Sequence, residues 1–300
     1  MLNRSILADF RLTVNERGLG VYGVHIFQRG EELVHRWRSD DPVCLYSGSK
    51  TFTSTAVGIC QDEGRLNIGD PWLDYFPELK ASAAPGTERQ TIRDLLHMQS
   101  GKREERSQLL GTGGGDILAA WAALPLTEEP GSLFWYVNSC TYTLGRLVER
   151  VSGEKLRDYL LPRLFLPFGI QNPQWHTDPA GHSLGYSGLY LRTEEFARIG
   201  RLLLQNGVWE DRQIVSEGYA RAMHEDLADN SNWSDPESQA GYGYQLWRCT
   251  SPGVYRADGM YGQFSIVIPD REAVVTVTSH NEHCPNDIVR AIEADILPKL

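Results

Sequence analysis

Strand-forming runs stand at both ends of this chain and helical patterns fill the middle, so a single sheet has to be assembled from the two termini. Near the start, GVYGVHIFQRGEELVHRWRS holds two β-rich runs, Val21–Gln28 and Glu32–Arg38, around the turn Arg29-Gly30-Glu31. Near the end, GVYRADG, FSIVIPD and AVVTVTSH read as three successive strands. Between them, TFTSTAVGICQDEGRLN places Phe52, Ala56, Ile59 and Cys60 on one helical face and stops at Gly64. TIRDLLHMQSG, DILAAWAALP, TYTLGRLVERVSG and EKLRDYLLPRLFLPFG follow as short helices ending at Gly or Pro. TEEFARIGRLLLQ, with a Thr-x-x-Glu-type start at Thr193, is a further amphipathic helix. Residues 3–17 are helical in spacing, and NDIVRAIEADILPKL is a terminal helix with Asn286 as its expected cap. The predicted class is α+β. Residues 1–59 and 185–300 supply an antiparallel sheet flanked by helices, and 60–184 form an inserted, mostly helical region.

Composition narrows the function. A net charge of −10 and a pI near 5.3 argue against a nucleic-acid partner, because phosphate binding needs a basic face. No apolar stretch reaches the roughly 18–20 residues of a membrane span. The charged N-terminus has no apolar signal region, so a cytoplasmic location is expected; export after loss of a signal peptide stays open. The five cysteines are scattered with no C-x-x-C pair, and the histidines lack H-E-x-x-H spacing; neither a disulfide framework nor a metal site is expected. Nothing in the composition selects an oligomeric state.

Three short motifs carry possible chemistry. Ser47 and Lys50 form Ser-x-x-Lys at the head of a helix. A lysine one turn on shares the serine's face, and burial lowers an ammonium pKa enough for it to accept a hydroxyl proton. The plain alternative is a serine cap beside a solvated lysine. With 20 serines among 300 residues the pattern is weak alone, and Ser152-Gly-Glu-Lys155 repeats it at a helix junction, where Ser and Gly serve the turn. Tyr136-x-Asn138 lies in an extended aromatic stretch, where residues two apart face the same way. A phenol to move a proton and an amide to bind a carbonyl fit that placing, as does ordinary packing. Gly259 and Gly262 bracket Met260 and Tyr261 between two strands, where backbone can approach a ligand and a free N–H can serve an oxyanion; an ordinary hairpin fits too.

Taken together and in this order, the motifs resemble the serine β-lactamase and penicillin-binding-protein superfamily. The likeness is closest to class C β-lactamase-like esterases, D-aminopeptidases and 6-aminohexanoate-dimer hydrolases. It also takes in GDP (69–71), TIRDLLHMQSG (91–101), PGSLFWYVN (130–138), the stretch 188–216 and MYGQFSIVIPD (260–270). The resemblance implies a β-lactamase-like fold with the site between sheet and helical region. It implies Ser47 as the acylated nucleophile, Lys50 and Tyr136 as the proton-transfer pair, and Asn138 as a substrate-orienting amide. The oxyanion donors would be the N–H groups of Ser47 and Met260, with Gly259 beside them. It implies no cofactor, and a small ester, amide or short peptide as substrate.

One departure stands out. Where many relatives have Lys-Thr-Gly or His-x-Gly, this chain has Ala257-Asp258-Gly259. An acid at Asp258 is expected to repel a β-lactam carboxylate and to favour neutral or amine-bearing substrates. Arg256 is expected on the opposite strand face from Ala257. Trp135, Trp175, Trp233, Trp247 and Tyr190 are candidate pocket walls, 224–242 a candidate covering loop, and His182 a candidate neighbour of the site. Two other outcomes use the same four residues: an acyl-enzyme that stalls, as in a penicillin sensor, and transfer of the acyl group to an acceptor other than water.

Overall fold

The computed structural model describes residues 2–103 and 115–300. Positions 104–114 of the expected helical region thus lie outside the described residues. The frame is a six-stranded antiparallel sheet made of β1 (Val21–Gln28), β2 (Glu31–Arg36), β3 (Trp247–Arg248), β4 (Tyr255–Gly259), β5 (Gln263–Ile268) and β6 (Ala273–Ser279), in the order β2-β1-β6-β5-β4-β3. The N-terminal hairpin joins the C-terminal strands through β1 and β6, with Val24 opposite Val277. The central strands are covered on both faces. This explains why FSIVI and AVVTV are unbroken apolar runs and do not alternate with polar residues.

One face of the sheet, with Val24, Ile26, Phe264, Ile266 and Val275, packs on the terminal helices α1 (Ala8–Glu16) and, at the other end of the chain, α5 (Asn286–Asp295). The opposite face, with Phe27, Val267 and Val274, joins the larger core that runs into the helical region. That core contains α2 (Ser49–Asp62), α3 (Asn138–Ser152) and α4 (Thr193–Leu204).

Three local readings need correction. α2 was expected to be amphipathic, but every residue from Ser49 to Cys60 is buried. Its hydroxyls make this tolerable by bonding locally and to neighbouring backbone. Thr55 Oγ1 donates to Thr51 O at 2.9 Å, Thr53 Oγ1 to Gly185 O at 2.9 Å and Thr51 Oγ1 to Gln245 O at 3.1 Å. The α4 start lies one residue earlier than expected: Arg192 is the cap, and its N–H donates to Glu195 Oε2 at 2.8 Å. Thr193 is instead helical, and its hydroxyl meets Thr278 Oγ1 at 2.6 Å, tying the helix to the sheet. Asn286 does not cap α5. Pro285 holds the cap position, and the Asn286 amide is drawn to Asp235.

Candidate active site

Ser47 sits in a single 3₁₀ turn, Tyr46–Gly48, that leads into α2. Leu45 N–H donates to Leu189 O at 2.8 Å and Leu189 N–H donates to Ser49 Oγ at 3.2 Å, so the turn is pinned to a short strand beside it. Tyr46, immediately before Ser47, has φ +47°, a left-handed conformation that costs a non-glycine residue about 1 kcal/mol or more. No feature of the sequence announces it. Such strain is retained where the surroundings fix the backbone, and here it directs the turn that carries Ser47.

Lys50 is 1% exposed. Its Nζ lies 3.2 Å from Ser47 Oγ, 2.9 Å from Asn138 Oδ1 and 3.0 Å from Tyr186 O. The Tyr136 ring centroid is 4.9 Å from the same nitrogen. Val137 is extended (φ −129°, ψ 136°), and α3 begins at Asn138. Tyr136 and Asn138 therefore line one cavity, as the two-residue spacing predicts. The phenol ring is held by stacking on Trp247, with centroids 5.4 Å apart at 25°, and by Trp233 at 5.7 Å.

The end of β4 closes the opposite side. A side chain at Gly259 would collide with Leu45 O and would stand 3.1 Å from Gly48 N. Glycine is thus what lets the strand end touch the turn that carries Ser47. Met260, 40% exposed, follows it on the rim, and Gly262 N–H closes a tight turn on Gly259 O at 3.1 Å. Ser47, Tyr136, Asn138, Asp258, Gly259 and Met260 all line this cavity of about 770 Å³, with the buried Lys50 amine beneath Ser47.

Asp258 is not the isolated acid the sequence suggested. Alternation does separate Arg256 from Ala257, but it equally puts Arg256 and Asp258, two apart, on one face. Arg256 is fully buried, and its Nε donates to Asp258 Oδ2 at 2.8 Å. Its other nitrogens donate to Ser238 Oγ at 2.8 Å and Glu237 O at 3.2 Å. Burial raises the Asp258 carboxyl above the ordinary aspartate range, and Arg256 opposes that rise.

Of the other candidates, Trp233 and Trp247 wall the cavity, and Asp235 and Ser238 of the expected covering loop line it as well. Trp175 belongs to the core. Trp135 is 40% exposed, with the Arg103 guanidinium 4.6 Å above its ring. Tyr190 pairs with Cys44 in a side sheet. His182 is not at the site. It meets Glu149 Oε2 at 2.5 Å and Lys155 Nζ at 3.0 Å in a separate depression, because the chain from 182 to 186 crosses from surface to site. Ser152 serves its helix end: its Oγ donates to Val148 O at 2.7 Å, and Gly153 has φ +74°. The sequence reading missed Tyr186, whose carbonyl holds Lys50. The only hint was the pair of glycines around it, Gly185 and Gly188, both with positive φ. Asp235 was also missed. Among the described residues no cluster of three His, Cys, Asp or Glu could hold a metal ion, and no helix is long and apolar enough to cross a membrane.

The Beta-lactamase family model matches residues 11–297. The 6-aminohexanoate-dimer hydrolase of Paenarthrobacter ureafaciens is 25% identical over 282 residues, covering 85% of this chain and 71% of the relative. Penicillin-binding protein 4 of Amycolatopsis lactamdurans is 26% identical over 273 residues, covering 78% and 71%. The crystal structure of a family VIII carboxylesterase superposes with a TM-score of 0.75 at 18% identity, covering 97% of this chain and 96% of that one. The α+β class expected from the sequence agrees with this fold.

Proposed function

The chain belongs to the β-lactamase family of serine hydrolases, and from that premise we propose that it cleaves a carboxylic ester or amide through an acyl-enzyme on Ser47. The observation that carries the reading is the surroundings of Lys50. Two carbonyl oxygens, Asn138 Oδ1 and Tyr186 O, lie within 3.0 Å of its Nζ. Once the amine is deprotonated, they can accept its two N–H bonds. The lone pair is then left for the Ser47 hydroxyl, whose oxygen is 3.2 Å away and can donate as well as accept. In that arrangement Lys50 takes the proton as Ser47 Oγ attacks the carbonyl carbon, and the Oγ–C bond forms.

The collapsing tetrahedral adduct expels an alcohol or amine, which takes a proton from Lys50 or from the Tyr136 phenol beside it. The Ser47 and Met260 N–H groups are the proposed oxyanion donors, brought together by the contact of Gly259 with the turn. Asn138 orients the acyl portion, and water then attacks the ester of Ser47. β-Lactam hydrolysis is proposed to be poor. The described residues lining the cavity include Asp258 and Asp235 and no arginine, lysine or histidine to hold a carboxylate. The test is turnover of p-nitrophenyl esters by the wild type and Ser47→Ala. The reading expects a loss on the order of 10³-fold or more in kcat. Undiminished turnover in the variant would end it.

A further inference from the structure

The two proposed oxyanion donors have matching neighbours. Tyr46, immediately before Ser47, has φ +47°, and Tyr261, immediately after Met260, has φ +65°. Left-handed backbone disfavours any residue with a Cβ, and glycine adopts it at no steric cost. Both positions are nevertheless tyrosine, and their rings meet edge to face, with centroids 5.1 Å apart at 77°. That is a favoured geometry for an aromatic pair, and glycine has no ring to make it.

The two ends of this contact are unequally held. Tyr261 O accepts from Ser279 Oγ at 2.6 Å and from Asn281 N–H at 3.0 Å, so its turn is tied to the end of β6. Its ring stacks on His280, with centroids 4.5 Å apart at 26°. Tyr46 N–H donates to the Cys44 sulfur at 3.4 Å, and a thiol is a weak acceptor. The Ser47 turn is thus the side in need of support. The Gly259 contact sets how near the two turns approach, and the ring pair resists rotation of one against the other.

We infer that Tyr46 and Tyr261 are positioning residues that hold the Ser47 and Met260 N–H groups in register across the oxyanion site. This rests on the serine-hydrolase reading. The rings act through the backbone, one residue from each donor, and take no part in proton transfer. Both residues also border the cavity, so the competing role is a plain binding wall. A wall changes KM, whereas misaligned donors lower kcat, because the oxyanion forms only after Ser47 attacks.

The test measures kcat and KM for p-nitrophenyl butyrate and the inhibition constant of 2,2,2-trifluoroacetophenone. Ser47 Oγ bonds to the ketone carbon, the carbonyl oxygen becomes the oxyanion, and the hydroxyl proton goes to Lys50. Tyr46→Leu and Tyr261→Leu should each lower kcat about tenfold with KM within about twofold of wild type, and weaken the ketone by the same factor. The double variant should be no slower than either single one, since one contact is lost only once. Tyr46→Phe, which keeps the ring, should recover most of the rate lost in Tyr46→Leu. Tyr46→Gly relieves the backbone but removes the ring. It should be as slow as Tyr46→Leu, and it serves in its place if the leucine variant folds poorly. A raised KM at unchanged kcat, losses that multiply in the double variant, or full rate in Tyr46→Gly would each overturn the pairing and leave the hydrolase standing. A wild type that turns over no ester overturns the hydrolase, and the positioning role with it.

Discussion

Replacing Gly259 with alanine probes the contact on which the proposed oxyanion site depends. A methyl there would overlap Leu45 O, stand 3.0 Å from Gln263 Cβ and stand 3.1 Å from Gly48 N. Two of these three are backbone atoms and cannot rotate away. Comfortable carbon contacts lie near 3.5–4.0 Å, so the end of β4 has to withdraw from the Ser47 turn by about 1 Å. Gly259 closes the β4–β5 ladder opposite Gln263, so the rest of the pairing can stay. Overpacking of this kind costs roughly 1–3 kcal/mol of stability, a fall of a few degrees in Tm for a chain of this size. Catalysis should suffer more. A 1 Å misplacement costs on the order of 10²-fold, and loss of an oxyanion donor 10²–10³-fold. The assay is kcat/KM on a p-nitrophenyl ester at 25 °C beside a thermal melt. Gly218→Ala serves as the control, since a side chain there meets no heavy atom within 4 Å. A folded Gly259→Ala variant with kcat/KM within about twofold of wild type would refute the role given to this contact.

Other consequences can be checked in parallel. Arg256→Met leaves Asp258 without its partner; because Asp258 is only 23% exposed, urea denaturation should show a loss near 3 kcal/mol, partly restored by a second change, Asp258→Leu. Lys102, fully buried with Nζ donating to Trp121 O and Ala122 O at 2.9 and 3.0 Å, has its pKa pushed down to about 7 by burial. Its folded pKa lies below the unfolded value of 10.5, so the unfolded chain binds more protons between those limits. The Lys102 contribution to stability should therefore rise with pH from about 7 toward 10.5, and the wild-type advantage over Lys102→Met in urea midpoint should widen between pH 7 and 9. Cys284 is exposed whereas Cys60, Cys140 and Cys249 are buried, and burial lifts the Cys60 thiol to about 11. Iodoacetamide should accordingly label Cys284 in the native protein and spare those three until it unfolds.

What the sequence made legible follows from how far apart the interacting parts are. The β-runs at both ends are strong local signals, since strands buried on both faces must be apolar at every position. Ser47 and Lys50 are one helical turn apart, and Tyr136 and Asn138 one strand period apart, so spacing alone aligns each pair. The Tyr186 carbonyl, the Asp235 carboxylate and the strained φ of Tyr46 depend on where separate segments meet, and no local pattern encodes that. Arg256 was legible in half. Alternation set it apart from Ala257, but the same rule also joins it to Asp258, and the resulting ion pair changes what the acid can do. His182 shows the opposite error, since its place just before GYSGLY suggested the site while the chain turned it toward Glu149.

The central claim is that Ser47 forms a covalent acyl intermediate, and intact-protein mass spectrometry after treatment with a fluorophosphonate tests it most directly. The account predicts one adduct on the wild type, mapped to the peptide containing Ser47 and absent from Ser47→Ala, together with steady ester turnover by the wild type. An adduct on another residue, or one that persists in Ser47→Ala, would contradict it.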